Sequence, residues 1–179
     1  MKNLFFGSAL LLVASLCVNF SFPNEELADE HSIKWYTWDE AIKASEKEPK
    51  KIIVDVYTEW CGWCKRMDNT TFAEAKVAAY INENFYPVKF DAEQKEDVRY
   101  KGHTLKYRAS GKRGVHDLAY SLLDGRLGYP SVVYLDEEQN RISVSPGYKT
   151  APDMLRELKY IAGDHYKTTT FNDFTGDDD

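Results

Sequence analysis

The 179-residue chain is 43% hydrophobic and 29% charged, which predicts one globular domain and excludes a low-complexity or disordered chain. Its 23 basic and 29 acidic residues give a formal net charge of −6, so the basic excess that is typical of nucleic-acid-binding proteins is missing. The three cysteines are too few for a small domain held together by disulfides.

The first 21 residues have the pattern of a secretory signal peptide, in which Lys2 precedes an apolar run from Leu4 to Val18. A lipid anchor at Cys17 and an uncleaved signal anchor are the alternatives, although a membrane span usually needs about 20 apolar residues. We therefore expect an exported, periplasmic protein, with anchoring to the membrane left open. Cleavage of residues 1–21 would leave two cysteines, Cys61 and Cys64.

Strands and helices alternate along the mature chain. A flexible, acidic lead-in at 22–32 precedes a domain expected over 33–163, and the C-terminal tail, 164–179, is expected to fray. Capping boxes at Thr37–Glu40 and Thr71–Glu74 indicate two helix starts. The first half is predicted to contain a strand at 33–36, a helix from 37 to 49, a strand at 51–58 and a helix after Cys61 that is interrupted at 68–70. A helix from 71 to 84 and a strand at 85–90 follow. The second half is predicted to contain strands at 131–135 and 141–144 and a helix from 150 to 163.

Residues 93–128 form a long polar stretch between two of these strands. It contains a candidate hairpin that pairs 98–100 with 105–107, a basic glycine-rich loop at 110–114 and a short helix over 115–123. The whole order of elements predicts an α/β layer with a final antiparallel pair of strands.

Cys61 and Cys64 occur in the sequence CGWC, directly after a predicted buried strand and at the start of a helix. Backbone N–H groups and the helix dipole stabilise a thiolate at this position, and the thiolate is the attacking species in disulfide exchange. Cys64 lies one turn further on, where it can attack a mixed disulfide and release the partner. The arrangement predicts redox chemistry, and half of a zinc site is the alternative.

Residues 52–65, IIVDVYTEWCGWCK, resemble the active-site segment of the thioredoxin family. Tyr129-Pro130-Ser131 resembles the family's cis-proline loop, and Val88-Lys89-Phe90-Asp91 resembles the strand that carries a lysine near a buried aspartate. From Met67 to Phe85 the chain is more similar to exported thioredoxin-like proteins and to the C-terminal domain of DsbD-type interchange proteins. The resemblance covers 33–163 and implies a thioredoxin-like α/β fold, a central mixed sheet flanked by helices, with about 93–128 inserted before the cis-proline loop.

The resemblance implies that Cys61 is the attacking thiol and Cys64 the resolving thiol, with no metal and no bound cofactor beyond this redox pair. It also implies that Asp55 is a buried carboxylate that exchanges the Cys64 proton through water, with Lys89 beside it. The alternatives are an Asp55 that faces solvent at a strand end and a Lys89 that is an ordinary exposed residue.

Substrate contacts are expected around the two cysteines. The resemblance implies that Trp60 presents a flat contact surface and that a cis Pro130 offers neighbouring backbone groups to an extended substrate. Gly62, Trp63 and Tyr129 complete this predicted substrate-binding surface. A core position for Trp60 and a trans peptide bond at Pro130 are the alternatives.

Two features depart from the family pattern. Trp63 stands where reducing thioredoxins usually have proline, which leaves the redox direction open. The insert at 93–128 is longer than the corresponding thioredoxin stretch, and it is either solvated chain or a partner-recognition surface formed by Arg108, Lys112, Arg113 and His116.

The sequence thus predicts an exported thiol–disulfide oxidoreductase that acts on cysteine-containing proteins and does not bind nucleic acid. The reductase direction is favoured, with a membrane thiol relay as candidate electron donor. A thioredoxin-like binding or assembly module that uses the insert is the alternative function. A zinc site would need two of four histidines, which lack the paired spacing of a zinc finger: His31, His103, His116 and His165.

Overall fold

The computed structural model of the protein describes residues 32–175. The predicted signal peptide, Cys17, nearly all of the predicted lead-in and the last four residues lie outside the described residues. In chain order the elements are α1 (Trp38–Lys47), β1 (Lys51–Tyr57), α2 (Gly62–Thr70), α3 (Ala75–Asn84), β2 (Phe85–Asp91), β3 (Val98–Tyr100), β4 (His103–Leu105), β5 (Tyr107–Ser110), β6 (Arg113–His116), α4 (Asp117–Leu122), β7 (Ser131–Leu135), β8 (Arg141–Pro146), α5 (Ala151–Ala162) and a final 3-10 helix (His165–Lys167).

Four strands form a mixed central sheet in the order β2-β1-β7-β8. β1 is parallel to β2 and antiparallel to β7, so both of its edges are hydrogen-bonded. All residues of β1 except Tyr57 are buried, which explains its continuous apolar sequence. The predicted mixed sheet flanked by helices is confirmed.

The two faces of the sheet are covered by different helices. Since side chains alternate along a strand, Val54 and Val56 of β1 face α1 and α4, whereas Ile53 faces α3 and α5. Asp55 follows the same alternation as Ile53 and enters the sheet face that α2, α3 and α5 cover. The alternation of side chains along β1 therefore places the Asp55 carboxylate in an apolar layer.

Two predicted helix boundaries around residue 70 are wrong. α2 continues through 68–70, where the Thr70 hydroxyl donates to the Arg66 carbonyl oxygen over 2.7 Å. Thr71 does not cap α3, because its hydroxyl donates instead to the carbonyl oxygen of Lys149 over 2.5 Å. Glu74 occupies the cap position of α3 without a side-chain hydrogen bond.

The first capping box is confirmed, whereas the strand before it is not. The Glu40 N–H donates to the Thr37 hydroxyl oxygen over 3.3 Å, and the Thr37 N–H donates to the Glu40 carboxylate over 2.9 Å. The predicted strand at 33–36 is reduced to a single β-bridge between Tyr36 and Val88.

The insert at 93–128 contains two hairpins and a core helix. β3 pairs with β4, at 103–105, rather than with 105–107 as predicted. The basic glycine-rich segment is the tip of the β5–β6 hairpin, and the predicted helix begins only at Asp117 because His116 ends β6 and caps α4. Leu118 and Leu122 of α4 are buried in the core, so this part of the insert is not solvated chain.

The described part of the C-terminal tail packs against α5 rather than fraying. The Arg156 guanidinium donates to the carbonyl oxygens of Phe171 and Phe174, and the Phe174 side chain is buried. Between residues 32 and 175, no helix is both long enough and apolar enough for a membrane span.

Candidate active site

The two cysteines lie where the chain passes from β1 into α2. Cys61 is the N-terminal cap of α2, and the backbone N–H of Cys64 donates to the Cys61 sulfur over 3.1 Å. A disulfide joins the two sulfur atoms. Both residues are buried, and Cys61 is the more exposed of the two, at 5% against 1%. Cys61 therefore lies at the positive end of the helix dipole, where a thiolate is stabilised.

The predicted substrate-binding residues either adjoin the two cysteines in the chain or lie in the cis-proline loop. Trp60 and Trp63 are both more than half exposed, so Trp60 is not a core aromatic. The Tyr129–Pro130 peptide bond is cis, as predicted. The Tyr129 ring packs edge to face against Trp60 at a centroid distance of 6.0 Å, which brings the cis-proline loop to the residue that precedes Cys61. Gly62 is exposed between the two cysteines.

Asp55 is buried, with 1% of its surface exposed, so the solvent-facing alternative is wrong. One carboxylate oxygen accepts a hydrogen bond from the Lys89 ammonium over 2.6 Å. The other oxygen, Oδ1, has no hydrogen-bond partner among the described residues. Burial raises the pKa of the Asp55 carboxyl to about 6, and the positive charge of Lys89 opposes this rise.

Lys89 is held in a largely enclosed position, with 20% of its side chain exposed. Its ammonium lies 5.2 Å from the Trp35 ring centre and 5.0 Å from that of Tyr57. It also forms an ion pair with the Asp68 carboxylate. The alternative of an ordinary exposed lysine is therefore wrong, because Lys89 joins the side chains of β1 and α2.

Asp68 is the residue that the sequence interpretation missed. It lies on α2 four residues after Cys64, and this spacing places two side chains on the same helix face. Its charge adds to the rise in the pKa of Asp55. The spacing was readable from the sequence, but the predicted interruption of α2 at 68–70 removed Asp68 from the helix.

Lys89 and Asp68 line a surface cavity of about 510 Å³, together with Trp35 and Phe72. Exposure rises along the three charged side chains, from 1% at Asp55 through 20% at Lys89 to 38% at Asp68. The buried carboxylate is thus linked to solvent through charged groups.

The insert reaches the redox pair through its second hairpin. The Arg113 guanidinium carbon lies 4.3 Å from the centre of the Trp60 ring, and the Trp60 indole N–H donates to Glu93 over 3.1 Å. Gly114, beside Arg113, has no room for a side chain, because a Cβ there would clash with the Arg108 carbonyl oxygen. Gly114 thus lets the two strands of the hairpin pack closely, and the hairpin contacts Trp60, the residue before Cys61.

His116 does not belong to an exposed recognition surface. It is fully buried, its Nδ1 accepts from the backbone N–H of Leu118 over 3.0 Å, and its ring packs on Phe90. Burial lowers the pKa of His116, which keeps the ring neutral. Within residues 32–175, no group of three or more His, Cys, Asp or Glu side chains is arranged to hold a metal ion, and His31 lies outside that range.

Comparisons with known proteins show the family and the fold. A family model, Thioredox_DsbH, described as a protein of unknown function (DUF255), matches residues 24–156. Spermatogenesis-associated protein 20 of Rattus norvegicus is 36% identical over 67 residues, which cover 37% of this chain and 8% of that protein. The thiol:disulfide interchange protein DsbD of Ralstonia nicotianae is 25% identical over 126 residues, which cover 70% of this chain and 18% of that protein.

A solved thioredoxin from Thermus thermophilus has a TM-score of 0.55 at 17% identity, over 73% of this chain and 87% of that one. At this identity the likeness shows the fold alone, and it confirms the predicted thioredoxin-like fold. The chain spans less than a fifth of the length of the rat protein and of DsbD. The protein therefore has the fold of thiol–disulfide oxidoreductases and carries a Cys-X-X-Cys pair.

Proposed function

This chain belongs to the Thioredox_DsbH family, and from that premise we propose that it is a thiol–disulfide oxidoreductase acting on cysteine-containing proteins. The observation that carries the proposal is the Cys61–Cys64 disulfide at the N-terminus of α2, preceded by an exposed Trp60 on which Tyr129 of the cis-proline loop packs. A disulfide that closes so short a loop adds little to stability, so a structural role does not explain the pair. A structural role would not explain the exposed aromatic surface either.

In the reducing direction, the Cys61 thiolate attacks one sulfur of a partner disulfide. An S–S bond forms between Cys61 and the partner, and the second partner sulfur leaves as a thiolate that takes up a proton. Cys64 then loses its proton and attacks the Cys61 sulfur. The mixed disulfide breaks, the partner leaves with two thiols, and the two electrons it gains come from the Cys61–Cys64 dithiol.

Asp55 takes the proton of Cys64 in this second step. A carboxyl with a pKa of about 6 is mostly ionised at pH 7 and is basic enough to accept a proton. Its Oδ1, which no described donor reaches, is the oxygen available for that proton. Lys89 holds the other oxygen and keeps the carboxylate from becoming too basic to release the proton again.

An extended partner segment lies across the surface formed by Trp60, Gly62, Trp63, Tyr129 and Pro130. The Pro130 carbonyl oxygen accepts from the Gly147 N–H and the Gly128 carbonyl oxygen accepts from the Ser131 hydroxyl, so the Tyr129 backbone is the part of this loop that pairs with such a segment as a strand would. The exposed aromatic rings supply apolar contact area with little loss of side-chain entropy.

Export and direction are also proposals. The pattern of residues 1–21 supports export to the periplasm, with or without an anchor. The Asp55–Lys89 pair supports the reductase direction, and an exported reductase needs electrons from a membrane thiol relay. A reduction potential below about −220 mV would agree with a reductase, and one above about −180 mV would make the protein an oxidant.

The experiment compares the native protein with Cys61→Ser and Cys64→Ser in the reduction of insulin by dithiothreitol. Cys61→Ser should abolish the acceleration, while Cys64→Ser should accumulate mixed disulfides that a reducing agent releases. Lys43→Gln, a substitution at an exposed residue far from the site, is the control and should keep the native rate. Undiminished insulin reduction by Cys61→Ser would contradict the proposed function.

A further inference from the structure

Each tryptophan beside the redox pair carries an arginine over its ring. The guanidinium carbon of Arg113 lies 4.3 Å from the centre of Trp60, and that of Arg66 lies 5.4 Å from the centre of Trp63. Both rings are exposed, by 51% and 57%. The same cation–aromatic arrangement thus occurs twice at the rim of one disulfide.

The two arginines come from different parts of the chain. Arg113 is on the β5–β6 hairpin of the insert, whereas Arg66 is on α2. Arg66 also lies 5.6 Å from the ring of Tyr148, which is itself 5.5 Å from Trp63. Gly62, Trp63 and Arg66 line a shallow surface depression.

Neither guanidinium forms an ion pair with a carboxylate of the described residues. Two other arginines do form such ion pairs, Arg108 with Asp117 and Arg141 with Asp124. The N–H edges of a guanidinium that lies over an aromatic ring fit a carboxylate with two parallel hydrogen bonds. Arg66 also interacts with the Tyr148 hydroxyl and helps to lower its pKa, so Arg113 is the less engaged of the two. The two arginines are therefore placed to bind acid groups from outside the chain.

We propose that Arg66 and Arg113 select partner proteins whose reactive cysteine has acidic side chains on both sides. This inference rests on the proposed function, because it names the partner segment that the redox pair accepts. The Glu93 carboxylate accepts the indole N–H of Trp60 and forms no ion pair with Arg113, which leaves the Arg113 guanidinium to a partner carboxylate.

The overall charge of −6 does not oppose this selection at close range. At physiological ionic strength charges are screened beyond about 8 Å, so a partner carboxylate in contact with Arg113 responds to that guanidinium and to the neighbouring Glu93 rather than to the net charge of the chain. Stacking on tryptophan also restricts the arginine before a partner arrives, which lowers the entropy lost on binding.

The test uses two synthetic peptide disulfides in which the cysteine is flanked on both sides by aspartate or by lysine. The rate constant for reduction by the reduced protein is divided by that for dithiothreitol with the same peptide, because flanking charges alter the intrinsic reactivity of a disulfide. The native protein should favour the aspartate peptide by about tenfold or more at low salt.

Arg66→Gln/Arg113→Gln should bring the two normalised rate constants to within about twofold of each other. Arg99→Gln is the matched control and should keep the preference. It removes an exposed arginine from β3, which lies far from the disulfide. The Tyr100 hydroxyl of β3 donates to the Gln139 carbonyl oxygen, and Gln139 is in the β7–β8 turn, at the end of the sheet opposite the disulfide.

Equal normalised rates in the native protein, or an unchanged preference in the double variant, would overturn the inference while leaving the proposed function standing. Failure of the native protein to exchange disulfides with either peptide, whether reduced protein meets peptide disulfide or oxidised protein meets peptide thiol, would overturn the proposed function itself and the inference with it.

Discussion

Asp55 and Lys89 are register partners on the parallel strands β1 and β2, and the Lys89 ammonium lies 2.6 Å from the Asp55 carboxylate. The buried Asp55 carboxylate is the inner end of a series of charged side chains that continues through Lys89 and reaches solvent at Asp68. Sheet register therefore places the lysine beside the acid, where its charge opposes the rise in pKa that burial causes.

Ionisation of Asp55 should lower the free energy of unfolding. Its pKa is raised from 3.8 to about 6, so the folded protein holds the proton more tightly than the unfolded chain. Asp55 therefore makes the free energy of unfolding fall as pH rises from about 4 to 7, by on the order of 2–3 kcal/mol.

Asp55→Asn should remove that fall, and the variant should be more stable than the native protein at pH 7. Urea unfolding of the disulfide form at pH 4 and pH 7 measures both effects. Parallel curves for the two proteins across this range would show that Asp55 ionises in the folded state as easily as in the unfolded chain.

The same substitution should slow the resolving step of the proposed reaction. Without a carboxylate to accept the Cys64 proton, release of the partner from the mixed disulfide should slow by about a hundredfold, a typical contribution of a general base. Attack by Cys61 should change far less. Acid quenching followed by mass spectrometry should therefore find the mixed disulfide accumulating in Asp55→Asn, and its absence would remove Asp55 from the proton transfer.

Asp68→Asn and Lys89→Met should shift the pH profile of the resolving step in opposite directions. The negative charge of Asp68 raises the pKa of Asp55, whereas the positive charge of Lys89 lowers it. The rate should thus begin to rise at lower pH in Asp68→Asn and at higher pH in Lys89→Met. Single-turnover rates between pH 5 and 8 measure the two midpoints, and shifts of the same sign would rule out this electrostatic control.

The buried acid and its lysine were predictable because each lies inside a strand with a strong apolar pattern. The resemblance of 52–65 and 88–91 to thioredoxin segments supplied their pairing, which single-strand periodicity does not contain. Asp68 was not predicted as a site residue because Asp, Asn and Thr are weak helix formers, and the sequence Asp68-Asn69-Thr70 suggested the end of a helix. Tertiary packing overrides that propensity, since the buried Met67 anchors α2 and Thr70 bonds back to its own helix.

The structure of the insert was less predictable for a physical reason. Polar residues at 93–114 carry little periodicity, and hairpin register depends on turn geometry more than on pattern. His116 looked like part of an exposed basic surface, yet its ring caps α4 and packs on Phe90. Long-range contacts of this kind, as between Arg113 and Trp60, have no signal in local sequence.

Leu118→Ala tests whether the insert is part of the folding core. Leu118 is fully buried on α4 and packs in the same apolar cluster as Val54 and Trp38, so its truncation should lower the free energy of unfolding by about 2–5 kcal/mol. Ser121→Ala, an exposed change on the same helix, should stay within about 0.5 kcal/mol of the native value. Urea denaturation of both variants measures the difference. A Leu118→Ala protein as stable as Ser121→Ala would mean that α4 docks too weakly to hold the insert, and with it Arg113, against the redox pair.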